Sequence, residues 1–148
     1  MAIDSTLNIR RAARARLLAS EAVTLIVGNR VYGQTPPKDP PFPFTLWGAI
    51  TLTPLRASCL DGSEGVVAVH GFAKKREEDG REVEWAEDHA SRLGAAIAAA
   101  LDGYLADIPG GTAAFRWTGS QLLVDGGDSD AFHTVQNFRI RCMTSQTV

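Results

Sequence analysis

The chain has 148 residues, 45% of them hydrophobic and 22% charged, with a formal net charge of -2 at neutral pH. That size and balance suit one domain around one core and exclude global disorder. The longest apolar runs, such as Val66–Val69 and Ala95–Leu101, fall far short of the roughly 18 residues a bilayer span requires, and Met1–Ser5 lacks the basic start and hydrophobic run of a secretory signal, so neither a membrane nor export is expected.

In chain order, residues 5–20 read as a first helix with Ser5 or Thr6 as cap and an alanine-rich face. Glu21–Gly28 continues as a short helix or turn that Gly28 ends, and Val31–Gly33 is a brief extended piece. Residues 35–43 contain five prolines, which lack amide donors and hold their predecessors extended. They form a stiff connector delivering Phe44–Gly48 to a sheet edge, with Phe44 and Leu46 on one face and Thr45 and Trp47 on the other. Ile50–Thr53 prolongs that strand until Pro54 stops it. Leu60–Gly65 reads as a turn, Val66–Phe72 as a strongly β-branched strand, and Lys74–Gly80 as a charged loop. Residues 82–104 read as a long helix whose stripe is Trp85, His89, Leu93, Ile97, Leu101 and Tyr104. A break at 108–111 leads into strands at 113–124 and 132–143, with a turn at 125–128 between them and Phe138, Ile140 and Cys142 inward. The expected fold class is α+β: a mostly antiparallel sheet with an N-terminal helix and one long central helix packed on it, in a single domain of residues 1–148 whose ends, 1–5 and 144–148, are mobile.

Charge is unevenly spread. Residues 1–40 hold six basic and three acidic side chains, whereas Glu77–Asp88 holds seven acidic residues and one arginine. Opposed patches can draw like subunits together, although two solvated surfaces explain them equally well. Motifs for chemistry are scarce. Cys59 and Cys142 are too few and too distant for a cluster and read as buried thiols. His89 lies on the helix stripe as a packed histidine, and His70 and His133 approach each other if their strands pair. No compact grouping supplies a third metal ligand, so no metal or cofactor is expected. Asp125, Asp128 and Asp130 lack the spaced glutamate of a calcium loop and read as a hairpin turn, and Thr118–Gln121 is not a nucleophile elbow. Arg10, Arg11 and Arg14, with Lys74–Arg76, are basic knots without interleaved aromatics, too small for nucleic-acid binding by an isolated subunit.

The opening Ala/Leu/Arg helix, Gly28–Tyr32, Pro36–Pro37, Pro41–Gly48, Val69–Phe72, Ala100–Asp102 and the closing His133–Arg141 strand together give a pattern over residues 5–143. That pattern resembles the tail-completion or tail-terminator proteins of long-tailed bacteriophages, prophages and gene transfer agents. The resemblance implies a structural protein with no catalytic residues, made in the bacterial cytoplasm and built into the virion at the tail-neck junction. Its copies, commonly six, would form a ring that ends the tail tube at its head-proximal end and meets a neck or connector protein, with DNA encountered only in the lumen. Expected contact residues are Phe42, Phe44 and Trp47, with Arg10, Arg14, Glu84 and Asp88 as rim charges and Arg14 or Lys75 repeated around the pore. Phe44 and Trp47 equally suit the core. Two alternatives stand: a head-tail adaptor ring nearer the portal, or a small hydrolase or nuclease in which His70, Asp125 and His133 converge.

Overall fold

A computed structural model describes residues 2–57, 60–125 and 130–144. Two helices open the chain, α1 (Thr6–Ala19) and α2 (Glu21–Val27). There follow β1 (Val31–Tyr32), β2 (Phe44–Ala57), β3 (Leu60–Lys74), β4 (Arg76–Glu78) and β5 (Arg81–Glu84). Then come α3 (Ala86–Leu101), β6 (Leu105–Ile108), β7 (Gly111–Val124) and β8 (Ala131–Thr144). Six strands make one sheet in the order β1-β2-β3-β8-β7-β6, in which only the β1–β2 pair is parallel, and β4 and β5 form a separate hairpin. The α+β class with helices against a mostly antiparallel sheet is thus observed.

The first two helices form where the sequence places them. Ile9, Ala13 and Leu17 recur every four residues and are buried, giving α1 one apolar stripe. Ser20 caps α2 by accepting from the Val23 amide, and Gly28, at φ 60° and ψ -126°, takes a positive-φ conformation open chiefly to glycine and ends it. At the start of α1 the cap differs from expectation: Ser5 makes no side-chain cap bond, and the Asp4 carboxylate accepts from the Thr6 amide instead.

Several boundaries move. β2 does not stop at Pro54 but runs to Ala57, because Pro54 pairs with Ser63 on one side and no described strand lies on the other, so its missing N–H breaks no ladder bond. Residues 60–65 belong to β3, not to a turn; Gly62 and Gly65 imitate turn chemistry, but a Cβ on either would strike a neighbouring strand's carbonyl, that of Cys142 or Thr51. Cys59, the 126–128 part of the expected turn and residues 145–148 lie outside the described residues. The charged segment after Lys74 is a hairpin, turned by Asp79 and Gly80 with φ of 52° and 76°, the paired positive values a two-residue turn needs. It takes Arg81–Glu84 out of the long helix. Trp85 becomes the extended N-cap and is 64% exposed, so it is not on the stripe, while His89, Leu93, Ile97 and Leu101 are buried as expected. The break at 108–111 is a two-residue turn between β6 and β7, with Pro109 first and Gly110 at φ 83° second.

The core lies between the helices and one face of the sheet, where Val67, Val69, Phe115, Phe138, Ile140 and Cys142 meet Ile9, Leu17, Val27, Leu93, Ile97 and Leu101. Alternation along the strands turns Phe72, His133, Arg139 and Arg141 to the opposite, helix-free face. His89 donates from Nδ1 to the Lys74 carbonyl at 2.8 Å, which joins α3 to the end of β3.

Candidate assembly interface

The proline-rich connector is held at its end. Arg30 donates from Nε to the Pro43 carbonyl at 2.7 Å, and the Arg30 carbonyl accepts from the Thr45 amide at 3.0 Å. Beyond it, aromatic rings cross the helix-free face from strand to strand. Phe42 meets Phe44 edge-on at 5.1 Å, Phe44 stacks on Phe72 at 4.9 Å, Phe72 on His133 at 4.3 Å, and His133 on His70 at 4.8 Å. The register Phe44, Phe72, His133 aligns three of these rings directly. Phe44 is 5% exposed and Trp47 3%, so both are enclosed within the subunit, and Phe42 is the partly open aromatic of the trio. Phe44 and Trp47 do fall on opposite faces, Phe44 in the aromatic row and Trp47 in the core.

The charged candidates are dispersed. Arg10 is exposed on α1 and borders a groove with Thr6, Gln34, Gly48 and Ile50. Arg14 donates from Nε to the Val31 carbonyl at 3.1 Å, which fastens α1 to β1. Lys75 pairs with Glu77 at 3.1 Å, a contact that raises its pKa, and it shares an open cleft with Phe42, Lys74, His89 and Arg92. Glu84 is the hub of a network, accepting from Arg92 Nε at 2.9 Å and Nη2 at 2.8 Å and from Arg76 Nε at 3.3 Å. Chiefly the Arg92 bonds hold its carboxyl down to about 2. Asp88 is exposed beside Glu87 in the first turn of α3, where negative charge faces the positive end of the helix dipole. Phe42 and Lys75 therefore share one cleft, Glu84 touches it through Arg92, and Arg10 and Arg14 lie elsewhere.

The histidines do meet: His70 Nδ1 and His133 Nε2 are 2.6 Å apart, a distance at which one ring donates to the other. Burial lowers both pKa values, and the neighbouring His133 lowers that of His70 further, while Asp125 acts upward on His133. Asp125 thus reaches the pair electrostatically. Among the described residues, no group of three His, Cys, Asp or Glu side chains could hold a metal ion.

Two features escaped the sequence reading. On the helix-free face Arg116, Arg139 and Arg141 line a cleft with Glu64, which pairs with Arg139 at 3.2 Å. The far half of β7 carries Trp117, Leu122, Leu123 and Val124, which are 43, 42, 45 and 60% exposed. Only the absence of charge between Trp117 and Val124 could have drawn notice to it.

The model of the family described as "Tail completion protein gp17" matches residues 11–142. Among solved structures, the chain is similar to one from the virion of a native gene transfer agent particle, with a TM-score of 0.77, 15% identity, and coverage of 96% of this chain and 99% of that one. A comparison with curated proteins finds no match. At that identity the structural likeness speaks for the fold: the same layered sheet and helices over nearly the full length of both chains.

Proposed function

The chain belongs to the tail-completion protein gp17 family, and from that premise we propose that its copies close into a ring at the head-proximal end of a phage or phage-like tail tube and join it to the neck. The observation that carries this reading is the family match over residues 11–142, and the near full-length fold shared with a gene transfer agent virion chain agrees with it. In such a role the work is surface matching between identical copies, with no bond made or broken.

Phe42, with Lys75 in the same cleft, and Arg10 at its separate groove are among the contact positions the subunit leaves accessible. Phe44 and Trp47 act from inside by holding the sheet under Phe42, while Glu84 stiffens the β4–β5 hairpin and Asp88 remains an open rim charge. Arg14, tied to Val31, leaves its terminal nitrogens for lumen DNA. Ring partners are other copies of the chain, the tube protein below and the neck protein above.

Depleting the protein during particle production tests this reading. Tubes that grow past their normal length, separate from filled heads, are expected. Tails of normal length that fail to join only at the portal would assign the protein to an adaptor ring instead. Normal particles carrying a His133→Ala chain while some measured hydrolytic activity is lost would assign it to an enzyme.

A further inference from the structure

The six-stranded sheet has two open edges at diagonally opposite corners. β6 covers only the first four residues of β7, from Ile108 opposite Gly111 to Leu105 opposite Ala114. The Phe115 and Trp117 amides are then taken by the Tyr104 carbonyl and the Asp102 carboxylate, each at 2.9 Å, and from Thr118 to Val124 no described strand lies outside β7. β2 is covered at its other end: β1 pairs with Thr45 and Leu46, and no described strand borders Ile50–Ala57 on the outside. The register Phe44, Phe72, His133, Leu123 sets the covered end of β2 level with the open end of β7, and Asp61, Thr144, Gly111 does the converse.

Open edges are normally defended by charge, proline or twist, because their unpaired amides and carbonyls accept any passing strand. The β7 edge has one register irregularity, between Trp117 and Gly119, and no charge from Trp117 to Val124. The β2 edge is uncharged from Phe44 to Leu55, and on the side to which its one proline, Pro54, turns its nitrogen, Ile50 and Leu52 can both donate and accept. β2 and β7 run in opposite directions, since three antiparallel pairings separate them. A second copy in the same sheet orientation therefore offers its β2 edge antiparallel to the first copy's β7 edge, the stronger of the two pairing modes.

We propose that Thr118–Val124 of one copy adds as a strand to Ile50–Thr53 of the next, making one sheet continuous across the subunit boundary. This rests on the ring reading above and names its surface. The contact joins unlike edges, so it repeats in one direction and pairs the open halves of β7 and β2 in every copy once the circle closes. Because the open halves sit at opposite ends of the sheet, neighbours are staggered along the strand direction, as closure of a sheet requires. Leu122 and Val124 lose their exposure at the boundary, which removes the apolar cost of the undefended edge.

Engineered cysteines test the pairing in protein assembled on isolated tail tubes. One is placed at Gln121 or Leu123 and one at Thr51 or Thr53, which share the helix-free face of the joined sheet, in a Cys59→Ser chain. Within one chain the two edges are three strand spacings apart, about 14 Å, beyond the roughly 7 Å that a disulfide spans, so any bond formed must join two copies. Oxidation of at least one pair is expected to yield a ladder of multimers on a denaturing gel, and a Leu25→Cys control paired with Thr51→Cys to yield none. A companion chain with Leu122→Lys and Val124→Lys is expected to keep its urea midpoint as a monomer and to lose assembly at least tenfold. Rings that form with no cross-link from any pair, or that tolerate both lysines, overturn this surface and leave the ring standing. Native protein that reaches tube ends only as a single copy overturns the ring, and this surface with it.

Discussion

Gly94→Ala is a substitution for which helix propensity and packing predict opposite signs. In an exposed helix the change stabilises by about 1 kcal/mol. Here the new methyl strikes Thr134 Oγ1 and stands 2.6 Å from Gln136 Nε2. Both side chains are buried and joined, Gln136 Nε2 donating to Thr134 Oγ1 at 2.9 Å, and Gln136 Oε1 accepts from Trp117 Nε1 at 2.9 Å. Overpacking costs about 1–3 kcal/mol, and parting a buried hydrogen-bonded pair adds about 1–3 kcal/mol. Against the propensity gain, a net loss of about 1–5 kcal/mol is expected, with the middle of that range lowering the urea midpoint by about 1–2 M for a chain of this size. Because Gln136 holds the Trp117 indole at the β7 edge, Trp117 emission is expected to change in the folded variant as well. On a Thr134→Ala background, where the obstructing hydroxyl is gone and Gln136 alone must give way, the cost of Gly94→Ala is expected to fall by about half. A Gly94→Ala chain with a raised urea midpoint would refute this seating of α3 on the sheet.

Glu84→Gln is expected to destabilise by about 1–2 kcal/mol at pH 7, the larger apparent value being reduced because Arg76 and Arg92 are half exposed. Its carboxyl sits at about 2 against an ordinary 4.5, so its contribution is complete above about 4.5 and is lost as pH falls through about 2; urea midpoints for both chains should converge along that range. His70 and His133 have lowered values, so their contribution is present above their ordinary 6.5 and is lost as pH falls through the folded values. Midpoints measured from pH 8 to pH 5 should drop more in the native chain than in His133→Phe, and parallel curves would count against the pair. Arg30→Ala removes the bond to Pro43 and should cost about 1–2 kcal/mol, with tryptic cleavage after Lys38 accelerated several-fold in a timed digest.

The helical stripes were legible because periodicity and burial coincide: Ile9, Ala13 and Leu17, or His89, Leu93 and Ile97, point one way at the spacing of a helix. The inward set Phe138, Ile140 and Cys142 was legible for the same reason at period two. Glycine and proline misled where one residue type serves two purposes. Gly62 and Gly65 resemble a turn yet sit inside β3, where neighbouring carbonyls leave no room for a side chain, and Pro54 resembles a stop yet sits in a strand with one free side. Lys74–Gly80 concealed a hairpin because its strands are exposed at every position but Glu84 and carry no alternation; Asp79-Gly80 alone marked it.

At the site, the types of residue were readable but their exposure was not. Phe44 and Trp47 are enclosed by partners distant in sequence, Phe72 for the first and the helical core for the second. The diagonal open edges follow from how few residues β1 and β6 contribute, four-residue β6 having shown no pattern distinct from a break. The approach of His70 to His133 depended on register, which two residues 63 positions apart do not reveal until their strands pair.

Imaging intact particles with a label on this chain, at a resolution that separates tube, neck and portal, tests the ring at the tube end most directly. A closed circle of density at the head-proximal end of the tube, with several labels per particle and a wall of continuous strands, is the expected picture. Label on the capsid, along the tube, or as one isolated copy at the neck would contradict it.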